Sequence, residues 1–237
     1  LGVFDDLVFQ RLDPDGFDII HTPTHRFAVP VGRQAYLDRL IATFPGEADG
    51  LRRLDVEMRA AVDAYALYRM HPTRDVTALL AVESVSLSSV LAQHIDDPEC
   101  RRVLAGQSLL YGVSADEAPF GVHALILDHF LQGAFTIDGG GDKLAMALVR
   151  KIRVQGGRVL LKAEATSVEV DPSRVAQAVW VGDERHPAEY VVSNLHPLLS
   201  LDLLPDHATR RAYRSRVQGN EVGHGHLGVY LEVEGRA

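Results

Sequence analysis

The chain has 237 residues, 46% of them apolar and 24% charged, with a formal net charge of −8. That length holds one large or two small domains with their own cores, at the balance of an ordinary soluble globular protein. The acidic surplus argues against a nucleic-acid partner, the single cysteine, Cys100, excludes an internal disulfide, and no run of about 20 uncharged apolar residues is present to span a bilayer.

The chain opens Leu1-Gly2-Val3 without an initiating Met or a charged-then-apolar leader, and ends at Gly235-Arg236-Ala237 after a strand-like run. Both ends read as cut from a longer polypeptide. Alternating apolar residues predict three short strands around Val8 to Leu12, Phe17 to Ile20, and Phe27 to Val29, with Asp13-Pro14-Asp15-Gly16 and Thr22-Pro23-Thr24 as turns. Tyr36, Leu37, Leu40, Ile41 and Phe44 mark one helix, and 47–70 a longer one. The stretch 76–92, with Glu83 as its only charge, predicts a third helix that is buried, lies on a membrane or lines an apolar tunnel. Asp97-Pro98 starts a fourth helix that Gly112 ends, and Ser114 with Glu117 suits a capping box for a fifth over 118–131.

The most ordered pattern lies between residues 134 and 194. A strand over 134–137 breaks at Gly139-Gly140-Gly141, and Leu144, Leu148 and Ile152 at spacing four predict a helix over 142–155 with those residues inward. Gly156-Gly157 stops it, and Val159-Leu160-Leu161 reads as a buried strand. Strands over 166–170, 175–181 and 186–192, joined by polar turns, predict an antiparallel meander. Short helices over 196–204 and 206–217 and a strand over 221–234 complete the chain.

Gly139-Gly140 with Leu144 and Ala147-Leu148, then Gly156-Gly157-Arg158-Val159, Glu164-Ala165, Val168, Val191-Val192-Ser193-Asn194 and Pro197 form an ordered set. The set resembles the FAD-dependent phytoene desaturase, carotenoid isomerase and retinol saturase group of flavin oxidoreductases. Asp13-Pro14-Asp15-Gly16-Phe17, Val29-Pro30, Gly32-Arg33 and Tyr111-Gly112-Val113 are similar to its retinol saturase branch. The resemblance implies a mixed α/β (α+β) fold: a substrate domain with a helical cap, plus the middle of a two-domain FAD/NAD(P)-binding fold with its β-meander. Residues 1–135 would belong to the substrate domain, 136–195 to the FAD domain, and 196–237 would return to the substrate domain. It also implies FAD in the full-length protein. The family's Gly-rich pyrophosphate loop comes before the first residue here and a second flavin segment after the last, so this chain is not expected to retain FAD or turn over.

The glycine triplet lacks the third position of a dinucleotide fingerprint, where Leu144 stands, so a tight turn competes with a phosphate loop. The resemblance makes Gly139 and Gly140 a turn close to the flavin ring system. It puts Glu164 and Ala165 on the strand passing the adenine, with backbone contacts at Ala165, and Ser193 and Asn194 at the re-entry to the flavin domain. An ordinary strand start and a helix cap are the plain alternatives at those two places. Phe120, His123, Phe130 and Phe135 become candidate substrate contacts, although a His on an apolar helix also suits a core. His224 and His226 share a strand face without a third ligand nearby, so no metal is expected, and no nucleophile motif is present.

The chemistry so implied is hydride transfer that saturates or desaturates a C–C bond of an apolar polyene or isoprenoid-like substrate, in a cytoplasmic protein with peripheral membrane contact left open. The alternative is a non-enzymatic apolar-ligand or protein-interaction module on the same fold.

Overall fold

In the computed structural model, which describes residues 2–65 and 76–220, the chain divides into two compact units, Leu1–Leu148 and Val149–Val222. The fold is mixed helix and sheet. The first unit holds β1 (Phe9–Arg11), β2 (Asp18–His21), β3 (Arg26–Val29), α1 (Arg33–Thr43), α2 (Ala48–Asp63), α3 (Thr77–Glu83), α4 (Leu87–His94), α5 (Pro98–Ala105), α6 (Phe120–Leu131) and β4 (Phe135–Ile137). β1 pairs antiparallel with β4, Phe9 opposite Ile137, and β2 pairs with β3, Asp18 opposite Val29.

Helical spacing decides what is buried. Leu51, Leu54, Met58, Ala61 and Val62 form the inner stripe of α2 and meet Leu40 of α1, Leu91 of α4, Val103 of α5 and Leu127 of α6. At Gly50 a Cβ would overlap the His94 carbonyl, so only glycine lets α2 and the end of α4 approach this closely. Charge fastens the same helices. Arg33 of α1 donates to Asp55 of α2 at 3.0 Å and to Asp128 of α6 at 2.7 Å, and Arg59 also binds Asp55. Glu99 of α5 accepts from the Thr22 and Thr24 hydroxyls at 2.6 and 2.7 Å, clamping the β2–β3 turn. Those two hydrogen bonds hold the Glu99 carboxyl down at about 2.

The expected single helix over 76–92 is broken. Phe120 N donates to Val85 O at 2.9 Å and Leu87 N to Ala118 O at 2.8 Å, a strand-like bridge that an unbroken helix could not make. Ser86 then caps α4, its hydroxyl accepting from Ser89 N. Burial follows the break: Leu87, Val90 and Leu91 are buried, whereas Val76 and Leu80 are 54% and 61% exposed. The longer helix expected to residue 70 ends at Asp63, and 66–70 lie outside the described residues. The fourth helix ends at Ala105 rather than Gly112, giving way to a 3₁₀ turn over Ser108–Tyr111. Ser114 and Glu117 hydrogen-bond within a turn, not a capping box, and Pro119 stands at the start of α6.

Helix α7 (Gly141–Val154) forms where expected, but Leu144 and Ile152 are 38% and 40% exposed, and only Ala147 is buried. The periodicity is right and the inward face is not. Val159-Leu160-Leu161 is not a strand; Leu161 is 82% exposed.

The second unit is the meander β5 (Ala165–Val170), β6 (Ala176–Val181) and β7 (Glu184–Pro187), in order β5-β6-β7 and antiparallel throughout, followed by α8 (Pro197–Asp202) and α9 (Arg211–Gln218). The third strand is shorter and earlier than the expected 186–192. Gly182, at φ 57, makes a two-residue turn that pairs Glu184 with Val181, so the strand is used up before Val191. The helix expected over 206–217 divides into a 3₁₀ turn, Asp206–Ala208, and α9. Residues 196–220 belong to the same unit as the meander, tied by Val168 N donating to Leu203 O at 2.8 Å. The strand expected over 221–234 lies outside the described residues.

Replacing Asp55 by Ala would leave Arg33 and Arg59 without their shared carboxylate. The expected cost is about 2–4 kcal/mol of unfolding free energy, less than a fully buried pair because both arginines keep some solvent. Chemical denaturation followed by far-UV circular dichroism measures it, and the exposed pair Asp49–Arg52 serves as a control whose loss is expected to cost under about 1 kcal/mol.

Candidate functional site

The two faces of the meander differ. Ser167, Glu169, Trp180 and Arg185 share one face by register. There Arg185 donates to both Glu169 oxygens at 2.8 and 3.1 Å, and Trp180 Nε1 adds a third hydrogen bond at 3.3 Å. Arg185 keeps the Glu169 carboxyl below the usual carboxylate range. The opposite face carries Val168, Val170, Ala176 and Val179, and a cleft of about 810 Å³ opens over it.

Its other walls are the approach to β5 at Ala163 and Glu164, the irregular stretch from Val191 to Leu195, and Leu199, Leu203 and Leu204 at and beyond α8. The rim is held by short-range bonds. The Ser193 and Ser200 hydroxyls lie 2.7 Å apart, Leu195 N donates to Ser193 Oγ at 3.3 Å, and His196 Nδ1 caps α8 by accepting from Leu198 N at 3.3 Å. The cap expected at Ser193-Asn194 thus falls on His196.

Four residues singled out from the sequence, Glu164, Ala165, Ser193 and Asn194, line this one cleft although about thirty positions separate the two pairs. Among the described residues, neither the Glu164 carboxylate nor the Asn194 carboxamide has a hydrogen bond or ion pair. The set is apolar branched walls for a flat ring, a free acceptor and a free amide at the edge, in a volume ordinary for small-ligand sites. What the sequence did not point to is the wall from α8, Leu199 and Leu203, whose spacing of four was its one signal.

Gly139 and Gly140 lie in the first unit, between β4 and α7, with φ of 78° and 77°. A Cβ on Gly139 would lie 2.6 Å from Lys143 Cε, and Gly140 N–H is taken by Ile137 O at 2.8 Å. This is a tight, internally bonded turn.

The four candidate substrate contacts differ in setting among the described residues. Phe120 and His123 are each 1% exposed, inside the core of the first unit. His123 Nδ1 is 2.7 Å from the Tyr111 hydroxyl, while its buried Nε2 completes no hydrogen bond among the described residues. Burial pushes this imidazole down to about 4, offset in part by the Leu104 backbone. Phe130 stacks on Phe17 with centroids 6.2 Å apart, and Phe135 is 57% exposed on β4. The small pocket between α1, α2 and α6 is about 20 Å³, room for one water. Among the described residues no three His, Cys, Asp or Glu side chains group as metal ligands, and no helix is long and apolar enough to cross a membrane; His224 and His226 lie outside those residues.

No family model matches the chain. It is 36% identical to an all-trans-retinol 13,14-reductase of Rattus norvegicus over 203 residues, 76% of this chain and 33% of that protein. A protein of that name from Danio rerio is 27% identical over 240 residues, covering 92% of this chain and 40% of the relative. A 4,4'-diapophytoene desaturase (4,4'-diaponeurosporene-forming) of Staphylococcus haemolyticus is 24% identical over 223 residues, 89% of this chain and 44% of its own. The chain thus spans 33–44% of the length of these relatives. Among solved structures, an oxidoreductase from Methanosarcina mazei shares the fold at a TM-score of 0.51 and 21% identity, over 65% of this chain and 40% of that one.

His123 must be neutral where it sits, so the unfolded chain binds the extra proton between about pH 6.5 and 4. Stability is therefore full above pH 6.5 and falls as pH drops through about 4, by an expected amount of the order of 3 kcal/mol from this group. In a His123→Leu variant the acid limb of the stability–pH curve is expected to flatten by that amount. Parallel curves for the two proteins would contradict the neutral assignment.

Proposed function

Because the chain belongs to the retinol saturase/phytoene desaturase-like family, we propose that it is the central part of an FAD-dependent oxidoreductase that saturates or desaturates a C–C bond of an apolar polyene or isoprenoid-like substrate. The supporting observation is the cleft of the second unit, which gathers Glu164, Ala165, Ser193 and Asn194 on an apolar floor. FAD, when bound, would supply the hydride chemistry, and the surrounding residues need no strong acid or nucleophile for it.

In this reading the Ala165 backbone and the walls of Val168 and Val179 hold the adenine, and Glu164 and Asn194 offer an acceptor and an amide to the adenosine hydroxyls and ring edge. Ser193 keeps the rim in place through Ser200. The Gly139–Gly140 turn lies near the ring system, as the resemblance implies. For the substrate, Phe135 offers an exposed aromatic face, Phe130 a half-buried one, and Phe120 and His123 support them from the core. A cytoplasmic setting with peripheral membrane contact completes the reading, with Val76 just before α3 and Leu80 within it as exposed apolar residues available for it. The 237 residues alone would not retain FAD, since the Gly-rich segments that the resemblance assigns to its pyrophosphate are outside them.

The test uses the full-length protein beside this chain. The full-length protein is expected to purify yellow and to reduce or desaturate retinoid or carotenoid substrates, and the 237-residue chain to be colourless after gel filtration. Ala165→Trp, which fills the cleft, is expected to weaken flavin affinity by at least about tenfold without loss of secondary structure. Full flavin occupancy in that variant would move the adenosine site elsewhere. A colourless wild-type full-length protein would favour the non-enzymatic alternative.

A further inference from the structure

Among the described residues, two other than glycine hold left-handed backbones, Lys162 at φ 54 and Arg174 at φ 68, and they stand at opposite ends of β5. Lys162 is exposed and does not line the cleft; Arg174 does. It closes the β5–β6 turn, Arg174 N donating to Asp171 O at 2.9 Å, in a conformation where the Cβ of any L-residue crowds the backbone. Glycine or asparagine would fill that corner with less strain. An arginine there calls for a reason in its side chain.

The neighbouring acid does not supply one. Asp171 spends its carboxylate on Val175 N at 2.9 Å and Gln177 Nε2 at 3.2 Å. Arg174 Nε donates to the His207 carbonyl at 3.0 Å, and His207 Nε2 lies 3.1 Å from the carbonyl oxygens of Val170 and Asp171. The guanidinium is thus steadied by one neutral oxygen, and its two amino groups have no partner among the described residues. A planar cation held at one edge, with the other edge free at the wall of a ligand-sized cleft, is suited to two-pronged recognition of an oxyanion. The carboxylates of Glu164 and Asp202 are the other charges on the cleft.

We propose that Arg174 is an anion anchor that engages a phosphate of the nucleotide occupying this cleft, a contact additional to the Gly-rich loop that the resemblance puts outside the chain. The proposal rests on the reading of the cleft as an adenosine site. The six residues of β5 separate Ala165 from the turn by roughly 17–20 Å at about 3.3 Å per residue. A nucleoside diphosphate therefore has better reach than a monophosphate.

The experiment compares adenosine with ADP on the 237-residue chain by calorimetry at low salt, without metal. ADP is expected to bind about tenfold or more tighter than adenosine, the size of one charge-assisted hydrogen bond to phosphate. Arg174→Gly and Arg174→Gln are both expected to bring ADP down to the adenosine level. Arg174→Gly should keep or raise the melting temperature because it relieves the left-handed corner, which a merely structural arginine would not allow. A tenfold ADP preference surviving in both variants, or none in the wild type, overturns the anchor while leaving the adenosine site intact. Failure of adenosine and ADP alike to bind overturns the cleft reading, and the anchor with it.

Discussion

One guanidinium organises the first unit. Arg33 reaches Asp55 and Asp128 on two other helices, and Arg59 completes a cluster of two cations and two carboxylates. Such a group is costly to leave half-paired, so α1, α2 and α6 can pack only where all its partners meet. Gly32 prepares the start of α1: at φ 101 its N–H donates to Leu131 O at the end of α6, 2.8 Å away. The Gly32-Arg33 pair thus joins the two ends of the helical packing. The same registration leaves about 20 Å³ between the three helices, the space of one water.

Ligand space is instead found where packing is incomplete. A three-stranded antiparallel sheet needs cover on one face to be stable, and α8 provides it only in part. The bond from Val168 N to Leu203 O draws the end of α8 over the sheet, and the Ser193–Ser200 contact fixes the approach. Between them the valine face stays open. A flat apolar ligand there would replace water by ring surface, and binding would stabilise the unit by mass action.

Short-range chemistry was legible in the sequence. Asp97 before Pro98 caps α5, Gly182 turns the hairpin, and spacing of four sets the stripes of α2. Positions decided by distant backbone were not. Residues 85–87 leave the helix because 118–120 offer a competing hydrogen-bonded bridge, a contact across more than thirty residues that periodicity cannot record. The meander was readable, since each strand pairs with its sequence neighbour. Of the site, Glu164, Ala165, Ser193 and Asn194 were reached through the resemblance, and the geometry unites them. Phe120 and His123 were drawn from the same resemblance, and burial makes them core.

The contrast between α7 and residues 159–161 follows from where hydrogen bonds are made. A helix closes its bonds within itself, so the 3.6-residue pattern of Leu144, Leu148 and Ile152 yields α7 even with much of its apolar face in water. A central strand has no such independence. Val159, Leu160 and Leu161 need neighbours on both edges to satisfy their N–H and C=O groups, and among the described residues no strand pairs with them. Their apolar run therefore encodes a place in a larger sheet, not a shape of its own.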